Sequence, residues 1–524
     1  MTDGQERSDC SIPGPSCAAH AMDGPVCVPE AGATVLSVLR HLMEEFARAG
    51  VAWCYWKSSR RLPESLAGLT DFDILVGRSS QQQARRVLLE CGFRRVVPVA
   101  AHAEISVECY LNYDEPSGRI AHVDLHTRLT VGGALLKTHG LPWEASLIER
   151  ARVRAGLAPP HLDAPSEAVL LVVRASLELT GWAAVTPRHR ALIVTKFTLD
   201  RAFLAARVVR DAVQARAAEL LGPAAAPAVV DVLFDPRPLL HLRHLQRQVR
   251  RAVACFRLCG VLESLLRSLW RGLCVAAHRL NRRALHWPRP WNSRVAGGGL
   301  IAAVIGLDGA GKSTVVRGLR AWLEGEVDVL PLYFGTGDGR PSWFLRPVKP
   351  LLGLVSRLMP RKPAGSSHGR LTHQAPGVAY SALLAVWASL VALEKCAKLR
   401  AAHRAARRGM VVLTDRFPQN ESPEFNDGPL LRRLRHVPRW LGALERSVYA
   451  RAAREHRPDV LIKLIASPEL IMEREPTMDP ALIRARTEAL GWMAFGCAHI
   501  TSIPASLPAQ EVLRAAKRVI WQSL

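Results

Sequence analysis

Residues 300–319 read LIAAVIGLDGAGKSTVVRGL. Nowhere else in the chain do an apolar run, closely set glycines, a lysine and two hydroxyls fall in line. Gly306 to Ser313 fits the spacing G-x-x-x-x-G-K-[ST]. The glycines let the backbone curl so that its N–H groups point at phosphate oxygens. Lys312 is then placed to bridge the β- and γ-phosphates, and Ser313 to put its hydroxyl on Mg²⁺. A helix opening near Lys312 adds its positive end to the same point.

Outward from this loop the pattern alternates strand and helix. Apolar runs at 300–306, 328–335, 410–415, 459–466 and 499–503 predict five strands, and the alternation predicts a parallel sheet wrapped by helices. GMVVLTDRF at 409–417 is one of these strands, delivering Asp415 and Arg416 at its C-terminal end. Ligands gather at that end of parallel strands. RPDVLIKLIASPELIMERE (457–475) reads strand, turn, helix. PTMDPALIRARTEALG (476–491) follows as an arginine-bearing stretch that could close as a lid.

The loop GLDGAGKST, the Asp415-Arg416 pair and the arginine-bearing stretch together resemble thymidylate kinase, with its G-x-D-G-x-G-K-[ST] loop and D-R-[YF] motif. The resemblance covers residues 300–524. It implies an enzyme, a P-loop kinase that transfers a phosphoryl group, with ATP and Mg²⁺ as cofactors. Gly306, Gly309, Ala310, Gly311, Lys312, Ser313 and Thr314 would bind ATP, with Asp308 in the same loop facing the acceptor. Lys312 would be catalytic, and Asp415 and Arg416 would serve the acceptor phosphate and, with Ser313, the metal. Arg474, Arg484 and Arg486 would be lid arginines neutralising the transferred group; the alternative for each is a solvated helix face. The sequence departs from that family at 333–374, a basic and aromatic insertion where the acceptor nucleotide is usually gripped. A nucleoside monophosphate such as dTMP is one candidate acceptor. A larger phosphate-bearing or membrane-bound molecule is another.

The first half carries a different constellation. In TDFDILVG, Asp71 and Asp73 stand two apart on a predicted strand and so share a face. Asp124, in HVDLH, lies on the next strand candidate. Three carboxylates of this kind can hold divalent ions for nucleotidyl transfer. His122 and His126 flank Asp124, as further ligands or as polar strand residues. The pattern resembles the nucleotidyltransferase superfamily, in particular its bacterial branch, over residues 35–215, with Lys57 at that branch's early lysine. The glycine–serine pair that normally cradles the triphosphate is missing, and Ser58 and Ser59 stand in its place. An active domain, a degenerate ligand-binding domain and a solvated strand end all fit the pattern.

The expected organisation is a loose tail (1–30), an α+β nucleotidyltransferase-like domain (31–160), a helical extension (161–285), a linker (286–299) and the P-loop α/β domain (300–524). A chain of 524 residues with 49% hydrophobic residues can bury cores on this scale. The acidic, Pro- and Gly-bearing first 30 residues are unlike a secretory signal. The 11 scattered cysteines predict reduced thiols in a cytoplasm. The net charge of +24 suits a nucleotide, a phosphate-bearing acceptor or an anionic membrane face, or is simply a solvated surface. Sequence-specific nucleic acid is not expected; a homodimer is allowed.

Two stretches bear on membranes. Residues 375–393 carry no charge and read as a buried helix of the kinase core or a short span. Residues 267–291 set Arg267, Arg271, Arg279, Arg282 and Arg283 beside Trp270, Trp287 and Trp291. That suits an interfacial helix on anionic lipid, peripheral to a membrane, or an interdomain helix packing its tryptophans inward. Two phosphate-handling modules in one chain suggest a pathway that builds a sugar or glycan. The rivals to the kinase are thus a metal-dependent nucleotidyltransferase in glycan or polysaccharide biosynthesis and a non-catalytic nucleotide-binding regulator.

Overall fold

The computed structural model describes residues 35–99, 103–104, 106–133, 135–151, 159–179, 187–235, 238–285, 287–335, 378–422, 425, 427–429, 431 and 438–524. The expected tail and nearly all of the 333–374 insertion lie outside them.

The P-loop half is built on a five-stranded sheet in the order β10-β11-β9-β12-β13, with β9 Ile301–Gly306, β10 Val329–Tyr333, β11 Val411–Asp415, β12 Val460–Ile465 and β13 His499–Pro504. Every neighbouring pair is parallel. Strands covered on both faces must be apolar at successive positions rather than alternate ones. Accordingly Ile301 to Val304, Val411 to Leu413 and Val460 to Ile462 are wholly buried. This is the α/β arrangement the alternation predicts. The helices Lys312–Leu323, Val378–Arg407 and Ala509–Ser523 pack against the sheet. In the uncharged run 375–393, Ala388, Val391 and Ala392 face the interior. No helix among the described residues is long and apolar enough to cross a membrane.

The first half holds a mixed sheet, β1-β2-β5-β4-β3-β8, from β1 Trp53–Tyr55, β2 Phe72–Val76, β3 Arg94–Pro98, β4 Val107–Asp114, β5 Arg119–His126 and β8 Ser293–Val295. A separate hairpin pairs β6 Leu129–Gly132 with β7 Lys137–Leu141. The helices Ala164–Glu178, Arg210–Leu221 and Ala226–Phe234 bury Val169, Val173, Val213, Val229 and Leu233 against one another and against Leu129 and Val131 of that hairpin.

The stretch expected to be a linker is more ordered than its prolines and glycines suggest. Ser293–Val295 is an edge strand on β3, and the Asp328 carboxylate accepts from the Trp291 and Asn292 amides at 2.5 and 2.6 Å. Gly299 is where the chain passes β11 most closely: a Cβ there would lie 1.9 Å from the Met410 carbonyl oxygen. Gly299 thus serves close packing, whereas Gly297 and Gly298, at φ 92° and 123°, have open space where a Cβ would stand. The two sheets share a core, since Val96, Leu111 and Ile120 lie in one cluster with Val304 and Ala516. Tyr113 meets Trp322 edge-on at 5.2 Å between ring centres, and Lys517 donates to the Gly118 carbonyl at 2.8 Å.

Candidate functional site

The loop between β9 and the helix Lys312–Leu323 turns at Gly309 and Gly311, whose φ of 83° and 88° lie in the left-handed region that favours glycine. The turn folds the Lys312 ammonium back into the loop. It donates to the Leu307 carbonyl at 2.7 Å and pairs with Asp308 at 3.3 Å. Burial lowers the pKa of this lysine, against the pull of Asp308. Burial also pushes the Asp308 carboxyl up, but Lys312 and Arg416 outweigh it and hold it below its usual range.

Strand β11 lies beside β9, with Asp415 in register with Val304. The Ser313 hydroxyl therefore reaches the Asp415 carboxylate and donates to it at 2.6 Å. The other Asp415 oxygen is buried and makes no hydrogen bond. A serine hydroxyl on a carboxylate with one open oxygen is a donor set that fits Mg²⁺. The next residue, Arg416, has φ 67°. That conformation is uncommon for a non-glycine residue. It turns the guanidinium to Asp308, 2.5 Å away, and to Asp427 at 3.6 Å.

Of the three expected lid arginines, Arg474 donates to the Gly309 carbonyl at 3.0 Å. Arg486 is buried, with its guanidinium over the Phe425 ring and close enough to help lower the Asp308 pKa. Arg484 is exposed and is not brought to the loop. Two residues apart on a helix are not neighbours on one face, so both could not turn inward. Sequence reasoning missed Asp427, Lys395 and Glu445, the last buried and near enough to Lys395 to raise its pKa against burial. Lys395 is buried, donates to the Asp427 carbonyl at 2.9 Å and has its pKa lowered to about 8, chiefly by burial. No local pattern marks these residues; only the fold joins them.

The first half gathers its own cluster. β2 and β5 run parallel with Asp73 beside Asp124. Asp73 accepts from Lys57 at 2.6 Å and contacts His126 Nε2 at 3.0 Å. His122 lies 3.3 Å from Asp71, 3.2 Å from Asp124 and 2.8 Å from Glu326. Glu326 belongs to the P-loop half, just past the helix that the loop opens, and no motif announced it. Burial pushes the Asp71 pKa up to about 7, reinforced by Asp124 and Asp73 and opposed by His122. Burial lowers the pKa of His122, yet Asp71, Glu326 and Asp124 together raise it well above its usual value. The Nε2 of His122 and an oxygen of Asp124 are buried, and their ion pair at 3.2 Å is the contact they have. Asp73, Asp124 and His126 form one group whose ligand atoms are close enough to share a metal ion, and Cys109, His122 and Asp124 form another. Asp71 borders these groups, and the Lys57 ammonium sits where a cation would balance Asp73.

No family model matches the chain. It is similar to two curated proteins of Escherichia coli strain K12. One is named uncharacterized ATP-binding protein YghR, 29% identical over 231 residues, which span 42% of this chain and 86% of that protein. The other is named uncharacterized ATP-binding protein YghS, 26% identical over 228 residues, which span 43% of this chain and 93% of that protein.

Proposed function

We propose that residues 300–524 form an ATP- and Mg²⁺-dependent phosphotransferase of thymidylate-kinase type. The observation that carries this reading is the convergence of Lys312, Ser313, Asp415 and Arg416 on one loop, with Ser313 on Asp415 and Arg416 on Asp308. The similarity to proteins named ATP-binding supports the nucleotide half of the proposal, and the matched length is close to that of residues 300–524.

The chain's residues divide the work. Backbone amides of Gly309 to Ser313 and the Lys312 ammonium hold the β- and γ-phosphates. Ser313 and Asp415 would hold Mg²⁺, which neutralises phosphate charge when bound. Lys312 leaves its contacts with Leu307 and Asp308 for the nucleotide. Arg416 holds the acceptor phosphate, with Asp308 beside it. The bond between the γ-phosphorus and the ADP oxygen breaks as one forms to an acceptor oxygen. Arg474 and Arg486 stabilise the charge that spreads over the transferred group. Arg484 has no part at this loop. The acceptor is a phosphate-bearing molecule, with a dTMP-like nucleotide the first to try.

The test is turnover of ATP by the full chain with Mg²⁺ and a panel of nucleoside monophosphates, beside Lys312→Ala. Turnover that needs a monophosphate and is lost in the variant supports the kinase. ATP binding without turnover on any monophosphate moves the acceptor to a glycan, lipid or protein.

A second reading is favoured by the gathering of Asp73, Asp124 and His126 within reach of one metal ion. It makes the first half a metal-dependent nucleotidyltransferase using Asp71, Asp73 and Asp124. Loss of activity in Asp71→Ala/Asp73→Ala, with Lys312→Ala unaffected, would put the chemistry there.

A further inference from the structure

The helix Val261–Leu280 is amphipathic in sequence, yet it presents the unexpected side to water. Leu262, Leu265, Leu266, Leu269, Leu273 and Leu280 recur at helical spacing and form one stripe. All six are exposed, Leu262 at 70% and Leu273 at 64%. The side turned to the protein is mainly small and polar, with Ser264, Ser268, Arg271, Gly272 and His278 half-buried beside Cys274 and Val275. Arg271 fastens that side, donating to the carbonyls of Leu135 and Ala103 at 2.6 and 2.5 Å. Trp270 and Trp287 are exposed at 66% and 55%, whereas Trp291 is buried edge-on against His278. Ten of the twenty-one exposed large apolar residues among the described residues fall between Leu258 and Trp287, so this is a concentration and not scatter. Contiguous exposed apolar surface on that scale marks an interaction site.

Charge selects the occupant. Around the stripe stand Arg257, Arg267, Arg279, Arg283 and Arg289, and Glu263 is the one acid between Arg237 and Leu307. A second copy would bring the same cations face to face. The 336–374 segment of this chain is also basic, with Arg340, Arg346, Lys349, Arg357, Arg361, Lys362 and Arg370 against Asp338 alone. A leucine stripe with tryptophan at its border and arginines along its flanks matches the interface of an anionic bilayer. There the apolar side chains enter the acyl boundary and the guanidiniums remain among headgroup phosphates.

We propose that Val261–Leu280, extended to Trp287, is a membrane-surface anchor that seats this protein on anionic lipid. The phosphate-loop half would then work beside a bilayer. The proposal is independent of which acceptor that half uses.

The test is co-sedimentation of the full chain with vesicles of phosphatidylglycerol and phosphatidylcholine in equal parts, and with phosphatidylcholine alone. The expected result is binding to the anionic vesicles, at least about ten-fold weaker in Leu266→Glu/Leu273→Glu and weakened by salt. Both leucines are exposed, so the variant should fold; its retained ATP binding checks that. Arg267→Glu/Arg279→Glu keeps the stripe and should lose the preference for anionic over neutral vesicles. No binding to anionic vesicles overturns the proposal, as does binding that Leu266→Glu/Leu273→Glu leaves unchanged. A wild-type dimer that the leucine variant splits, with no vesicle binding, assigns the stripe to a second copy instead.

Discussion

Glu167 offers a stability test whose size follows from the structure. It lies in the helix Ala164–Glu178, is 5% exposed, and accepts from the Ser59 amide at 2.8 Å. Burial raises its pKa from 4.5 to about 7, opposed by the hydrogen bonds from Ser59. The folded state therefore holds this proton more tightly than the unfolded state. Below pH 4.5 both states are protonated and nothing is lost. As pH rises from 4.5 through about 7 the unfolded chain releases its proton first, so stability falls across that window and stays low above it. A difference of about 2.5 units at about 1.36 kcal/mol each gives about 3 kcal/mol. Glu167→Gln keeps a carbonyl oxygen for Ser59 and removes the ionisation. Urea unfolding of wild type and variant, followed by tryptophan fluorescence between pH 5 and 8, should give curves that diverge. The variant should gain by about 2–3 kcal/mol at pH 8 relative to pH 5. Other titrating groups, Asp71 and His122 among them, are common to both proteins and cancel in the difference. Parallel curves would refute the reasoning.

Lys312→Ala should weaken ATP binding by at least about a hundred-fold in calorimetry, because it removes the buried cation of the loop; the same affinity in both proteins would remove Lys312 from the phosphate site. Gly299→Ala should cost more than about 3 kcal/mol, since its Cβ would meet the Met410 oxygen at 1.9 Å, and a drop in soluble yield or urea midpoint would show it. Asp328→Ala leaves the Trp291 and Asn292 amides without their acceptor and should cost about 2–3 kcal/mol, read as a lower melting temperature and faster amide exchange at 291–295.

The centre of the parallel sheet was legible because β9, β11 and β12 are buried on both faces and so stand out as unbroken apolar runs, whereas the edge strands β10 and β13 are largely half-exposed or exposed. The glycine-rich loop was legible because Lys312 and Ser313 follow within a few residues of Gly309 and Gly311, whose positive φ makes the turn. What escaped has a common cause. Ser293–Val295 is too short to show a period of two, and the prolines and glycines on either side of it look like slack, when the close approach of Met410 requires one of them, Gly299. Asp427, Lys395 and Glu326 join their clusters only through tertiary contact. Arg484 and Arg486 look equivalent in sequence, and helix geometry turns only the second inward. The tryptophans of the bridge divide as well, Trp270 outward because the mainly polar side of its helix is the one that packs, and beyond the helix Trp287 outward and Trp291 inward against His278.

The most direct measurement follows the γ-phosphoryl group itself. The full chain is incubated with ATP labelled at the γ-phosphate, Mg²⁺ and a small-molecule extract of cells, and the label is separated by chromatography. The account predicts that label moves to a phosphate-bearing acceptor with wild type and remains on ATP with Lys312→Ala and Asp415→Asn. Label that stays on tightly bound ATP with the wild type, whatever acceptor is offered, would contradict phosphoryl transfer and leave a nucleotide-binding regulator.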